Sequence, residues 1–181
     1  TADNVNLAGG ISVRAPLDAG TGYRYTADII ASKITSKTRA IVINSPHNPT
    51  GMVATRTEIE EIVKLAEKHG LWVLSDEAYE HVLFDSREHV SPGSLGYDRV
   101  VSVFSLSKSY AMSGLRVGYV ATNNALMVER MQKLLRCTIN GVNSATQWGA
   151  VAAFMGPQDS IVTMRTEYQK RRDFLWDALK T

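Results

Sequence analysis

"SVFSLSKSYAMSGLRVGYV", residues 102–120, opens as an apolar strand and closes on a cluster of hydroxyls around one lysine. Ser105 and Ser107 flank Lys108 on its N-terminal side, and Arg116 follows between Gly114 and Gly118. A lysine is ordinarily a solvated surface group. Small and apolar flanks and a preceding strand also make it a candidate nucleophilic amine. Ser105, Ser107 and Arg116 offer two hydroxyls and a fork of N–H donors, a set that suits a phosphate. Gly114 and Gly118 would let backbone approach closely.

Working outward, compact apolar runs predict strands over 39–44, 71–76, 100–105 and 116–121, with a short one over 11–17. Helical patterns alternate with them over 28–34, 55–70, 125–135 and 144–154. The helix over 55–70 has a start signal in Thr55 and Glu58, one apolar face in Ile59, Ile62, Val63 and Ala66, and a stop in Gly70. Pro157 opens a long final helix, with Ile161, Met164, Tyr168, Leu175 and Leu179 on one stripe. This alternation predicts an α/β fold: three αβα layers, with a mostly parallel sheet covered on both faces.

Three of these strands carry polar chemistry at their C-terminal ends: "SPHNPTG" (45–51), Asp76 with "EAYEH" (77–81), and Ser105 with "LSK" (106–108). In open α/β sheets that edge is where ligands bind. Arg116 stands at the start of its strand yet would have to reach the same edge. Strand 116–121 is therefore expected to run antiparallel to the others.

Bulk properties narrow the class. The 181 residues suggest one domain or a piece of a longer protein. Apolar residues make up 44% and charged residues 21%, enough for a packed core. A formal net charge of +2 is too balanced to argue for nucleic acid. Cys137 is the sole cysteine, which excludes an intrachain disulfide and a cysteine zinc cluster and fits a reducing compartment. No apolar run approaches a membrane span. The opening at Thr1 and the closing helical pattern "DFLWDALKT" suggest a piece of a longer protein.

Each polar feature also has a plain structural reading. "HNPTG" has turn composition, and Asp76 could cap a helix. His81 and His89 with Asp76 and Glu77 lack the spacing of a metal site. "SLSK" matches an S-x-x-K pattern, but the S-D-N and K-T-G elements that accompany it in β-lactamases are missing. Taken together, the three loops ask for a ligand with a phosphate, a carbonyl open to an amine, and a group wanting an acid partner. Pyridoxal 5′-phosphate meets all three demands.

"SPHNPTG" (45–51), "SDEAY" (75–79) and "SLSKSYAMSGLRVGY" (105–119), in this order and rough spacing, resemble the class I/II aminotransferases of the fold type I pyridoxal-phosphate enzymes. The resemblance spans nearly the whole chain, as the cofactor-binding part of the large domain. It implies a Schiff base on Lys108, which then moves the proton from the substrate Cα. It implies Asp76 at the pyridine nitrogen, Asn48 and Tyr79 at the phenolic oxygen, and Ser105, Ser107 and Arg116 around the phosphate. Lys108, Asp76 and Tyr79 would be the catalytic set, and no metal is expected.

The resemblance further implies an amino acid and a 2-oxo acid as substrates, a homodimer with a shared active site, and a cytoplasmic location. It divides the chain into a cofactor-binding large domain over 1–155, lacking its N-terminal part, and a helix over 156–181 leading toward a small domain. That small domain would carry the arginine for the substrate α-carboxylate. These residues alone are not expected to turn over substrate, whereas the full-length parent is. A β-lyase or an aminocyclopropane-type synthase would use the same cofactor residues. The aminotransferase-like ligand domain of a transcription regulator is a further alternative.

Overall fold

The computed structural model describes residues 2–180. Its centre is a four-stranded sheet in chain order: β1 (Ala40–Asn44), β2 (Trp72–Asp76), β3 (Val100–Ser105) and β4 (Gly118–Ala121). β1, β2 and β3 are parallel, and β4 pairs with β3 in the antiparallel sense, as expected. Asn44 lies opposite Asp76, and Asp76 opposite Val103, so β1 and β2 end level with each other and β3 runs two residues further at the same edge.

Among the described residues seven α-helices surround or follow the sheet: α1 (Ala2–Leu7), α2 (Ala27–Ala31), α3 (Arg56–His69), α4 (Leu106–Ser109), α5 (Ala125–Thr138), α6 (Ser144–Met155) and α7 (Asp159–Leu179). α3 forms where the pattern predicts it. The Thr55 hydroxyl accepts from the Glu58 N–H, the Glu58 carboxylate accepts from the Thr55 N–H, and Gly70 ends the helix at φ 63°. Its face of Ile59, Ile62, Val63 and Ala66 packs on Ile41, Ile43, Val73 and Val100 of the sheet. Burying one such side chain stabilises the fold by about 1.5–3 kcal/mol, so this contact holds the strand ends in register.

The opposite face of the sheet is less covered. Val42, Val103 and Val120 remain 43%, 42% and 44% exposed, so among the described residues one layer of helices over the sheet is complete and the other is partial. α5 buries none of its residues, and the stripe on α7 is buried at Ile161 but exposed at Leu175 and Leu179.

Residues 11–17 are not a strand. They have no regular structure, and Ile11 is 87% exposed. An isolated extended segment gains stability only from a ladder, and Pro16 offers no N–H to one. The following residues are what fix this stretch to the core. Arg24 donates to the Glu58 carboxylate and to the Val53 carbonyl, and the Tyr25 hydroxyl bonds both the N–H and the carbonyl of Asn44. No helix among the described residues is long and apolar enough to cross a membrane.

Candidate active site

The C-terminal ends of the parallel strands β1, β2 and β3 bring three loops to one edge. After β1, the Asn44 carboxamide folds back: its Oδ1 accepts from the Asn48 N–H at 2.8 Å and its Nδ2 donates to the Asp76 carbonyl at 3.0 Å. That carbonyl also accepts from the Ser45 N–H. Asn44 therefore sets the position of Asn48 relative to β2, a role that nothing in the turn composition of "SPHNPTG" reveals.

After β2 the chain makes a tight turn rather than a helix. The half-buried Asp76 carboxylate accepts from the Ala78 N–H at 3.2 Å, so the acid caps this turn and keeps most of its acceptor capacity. The turn presents Tyr79 to the first loop, where Asn48 Nδ2 donates to the Tyr79 hydroxyl at 3.3 Å.

After β3 the Ser105 hydroxyl accepts from the Ser107 N–H at 3.3 Å and starts α4. One turn of helix places Lys108 with its Nζ 5.5 Å from the centre of the Tyr79 ring, within range of a cation–π attraction. The structure thus brings Asn48, Tyr79 and Lys108 together and puts Asp76 at the base of the same turn.

Arg116 stands apart from that trio. It lies just before β4 in the left-handed region, at φ 52° and ψ 52°. Its guanidinium donates to the Ser113 carbonyl at 2.9 Å. The pairing of Ser105 with Gly118 carries Arg116 to the neighbourhood of the two serines. Gly118 permits that approach, because a Cβ there would come within 2.4 Å of the Phe104 carbonyl oxygen. Gly114 is different: a Cβ there would meet no atom within 4 Å. The strand itself starts at Gly118, two residues later than the apolar pattern suggests.

A hollow of about 520 Å3 lies at the other edge of the sheet, among Arg39, His69, Trp72 and Arg99. It faces the N-terminal ends of the strands. Its two guanidinium groups donate to backbone carbonyls of Ser36, Thr38 and Gly70, so they serve as loop braces.

The chain is thus an α/β fold with an amine, a carboxylate, a phenol and a carboxamide at the C-terminal edge of a mostly parallel sheet. The chain belongs to the family described as aminotransferase class I and II, whose profile it matches over residues 1–181. It is 37% identical over 180 residues to an aspartate aminotransferase of Bacillus sp. (strain YM-2), covering 98% of this chain and 46% of that protein. It is 40% identical over 169 residues to an arginine–pyruvate transaminase of Pseudomonas aeruginosa, covering 92% and 42%. The structure of an aromatic aminotransferase from Pyrococcus horikoshii OT3 superimposes with a TM-score of 0.95 at 37% identity, covering 99% of this chain and 49% of that one. The chain therefore spans a little under half the length of these relatives.

Proposed function

We propose that the protein containing this chain is a pyridoxal-phosphate-dependent aminotransferase acting on an amino acid and a 2-oxo acid. The observation that carries this reading is the meeting of three separate loops, in which Asn48 Nδ2 bonds the Tyr79 hydroxyl while Lys108 Nζ lies over the Tyr79 ring. The donor set fits the cofactor: one amine, one carboxylate, a phenol with a carboxamide, two hydroxyls at the start of α4, and a guanidinium just before the adjoining strand β4.

Pyridoxal phosphate, when bound, supplies an aldehyde to the amine and a ring that accepts electrons from the substrate Cα. Lys108 Nζ is the amine that would hold the cofactor and, as a free amine, would take the proton from the substrate Cα. The Asp76 carboxylate holds a proton at the ring nitrogen, which keeps the ring electron-accepting. Asn48 and Tyr79 donate to the ring oxygen and orient it. The Ser105 and Ser107 hydroxyls and the Arg116 guanidinium would bind the phosphate and so anchor the ring in place.

This reading makes residues 1–155 the cofactor-binding large domain and 156–181 a helix leading toward a small domain. The large exposed side chains Trp148, Met155, Phe174 and Trp176 on α6 and α7 support a covered surface there, as in a homodimer with a shared active site. A cytoplasmic setting accords with the lone Cys137.

The test uses the intact protein. Titration with pyridoxal phosphate should produce the visible absorbance of a lysine-bound cofactor. Adding an amino acid should then discharge it with release of a 2-oxo acid. Release of ammonia with a thiol would instead identify a lyase. Failure of the wild-type protein to take up the cofactor would remove the enzyme reading altogether.

A further inference from the structure

Glu77 follows Asp76 directly, yet its side chain turns to the opposite side of β2 and is 0% exposed. There its two carboxylate oxygens are both engaged. Oε2 accepts from His89 Nε2 at 2.6 Å, and Oε1 accepts from the Ser91 hydroxyl at 3.0 Å. The Ser91 hydroxyl also lies 3.2 Å from that of Ser102 in the middle of β3. A polar chain therefore runs from the end of β2, through the 89–91 loop, into β3. It lies behind the strand ends that carry Asp76 and Ser105.

Directionality distinguishes this chain from ordinary core packing. Apolar side chains would fill the same space and would tolerate small slips of one strand end against the other. A carboxylate held by two donors at fixed distances does not: both Glu77 oxygens are satisfied, while His89 Nδ1, on the far side of the ring, has no partner among the described residues. The same stretch of backbone is pinned further: the Glu77 N–H donates to the Val103 carbonyl at 2.9 Å, and the Glu77 carbonyl accepts from the Glu80 N–H at 3.1 Å. Gly93 allows the loop to lie this close, since a Cβ there would stand 3.1 Å from the Ser102 hydroxyl.

We propose that Glu77, His89 and Ser91 are positioning residues, a strut on the reverse side of the sheet that holds the 76–80 turn so that Asp76 and Tyr79 stay aligned with Asn48 and Lys108. The inference rests on the aminotransferase reading for its effect on rate. Its effect on the turn is independent of that reading. His89 is the pivotal member, because it makes the shorter of the two contacts to the carboxylate, 2.6 Å against 3.0 Å from Ser91, and makes it through Nε2 alone.

Three variants of the intact protein test it: His89→Phe removes the donor and keeps a ring, His89→Gln keeps an N–H that can reach Glu77, and Ser91→Ala removes the second donor. Amide hydrogen exchange is read first, on cofactor-free protein. In His89→Phe the amides of residues 77–82 should exchange faster while those of α3 keep their protection. The amino-acid half-reaction should then slow by roughly 10-fold to 100-fold, the scale expected when a reacting geometry is displaced from a distance. KM should move by no more than about twofold, because the lost effect belongs to the reacting geometry rather than to uniform binding. His89→Gln should recover most of both readouts.

The strut is refuted by unchanged exchange at 77–82, by loosening spread evenly through α3 and β1, or by His89→Gln behaving like His89→Phe. Should His89→Phe fail to fold, Ser91→Ala decides the matter: a smaller loosening of the same turn supports the strut, and none overturns it. A wild-type protein without cofactor uptake or half-reaction would remove the transaminase reading while leaving the exchange comparison intact.

Discussion

Asn48 Nδ2 and the Tyr79 hydroxyl meet at 3.3 Å, joining the loop after β1 to the turn after β2 across the sheet edge. A bond of this length between neutral, partly exposed groups has a modest net value, about 0.5–1 kcal/mol. Tyr79→Phe and Asn48→Ala are therefore expected to cost little in stability. A double-mutant cycle on urea unfolding should give a coupling of that size. Both changes should lower the half-reaction rate of the intact protein by more than they lower stability, because both groups face the cofactor oxygen in the proposed function.

Lys108→Ala and Asp76→Ala should separate the two central roles. Lys108→Ala should lose the visible absorbance of a lysine-bound cofactor but retain some binding through Ser105, Ser107 and Arg116. Asp76→Ala should keep that absorbance, since amine and aldehyde are untouched, and lose on the order of 10²–10³ in half-reaction rate. Near-normal turnover in Asp76→Ala would show that the acid does not serve the ring.

Glu58 has two tasks, capping α3 at Thr55 and pairing with Arg24. Removing a cap costs about 0.5–2 kcal/mol, and leaving a half-buried arginine without its partner adds to that. Glu58→Ala should therefore lower unfolding stability by about 2–3 kcal/mol in total, visible as a lower urea midpoint. It should cost clearly more than Arg56→Ala, whose partner Glu60 lies 3.7 Å away on an exposed helix face.

Glu80 supplies a pH prediction. Burial, reinforced by the charge of Glu77 and opposed by His89, pushes its carboxyl up to about 7. A carboxyl raised in the folded state binds more protons there than in the unfolded chain. Its contribution to stability is thus complete below the ordinary value of 4.5 and is lost as pH rises through about 7. Glu80→Gln should match the wild type near pH 4.5, melt higher than it at pH 8, and flatten the decline between. A wild type and variant that melt in parallel from pH 4.5 to 8 would show that Glu80 titrates normally.

Arg172 clamps Asp85 with two guanidinium bonds of 2.6 and 2.7 Å, fixing α7 to the loop after β2. Those bonds hold the Asp85 carboxyl below its ordinary value of 3.8. The sign is opposite to that of Glu80: the clamp is present above that value and is released as pH falls beneath it. The protection of α7 amides, with the intrinsic pH dependence of exchange divided out, should therefore be level at neutral pH and fall in strong acid. Arg172→Met should lower it at pH 7.

The strands and α3 were legible because local patterns and the final packing agree there. Val, Ile and Leu runs became β1 to β3, and Thr55 with Glu58 capped the helix. Residues 11–17 show the limit: alternating apolar residues look like a strand, but only a neighbouring strand can make them one. The antiparallel sense of β4 followed from asking how Arg116 could return to the edge, a requirement of chemistry rather than of propensity. In the sequence Glu77 and His89, with His81 and Asp76, lack the spacing of a metal site, and nothing there pairs them. The structure shows Glu77 and His89 directly hydrogen-bonded to each other on the side of β2 away from Asp76. Their pairing joins residues twelve apart around an irregular loop, which no periodicity encodes. Asn44 was invisible for a similar reason, as its partners are backbone groups of Asn48 and Asp76.

Arg116 adopts φ 52°, where a side chain costs about 1–2 kcal/mol relative to the right-handed region. Glycine would relieve that cost, less roughly 0.5–1 kcal/mol for its greater freedom when unfolded. Position 116 is therefore contested ground. A randomised library sorted for heat resistance should drift toward glycine there, while one sorted for cofactor retention should return arginine. The two enriched populations would diverge at this codon even though both descend from the same fold.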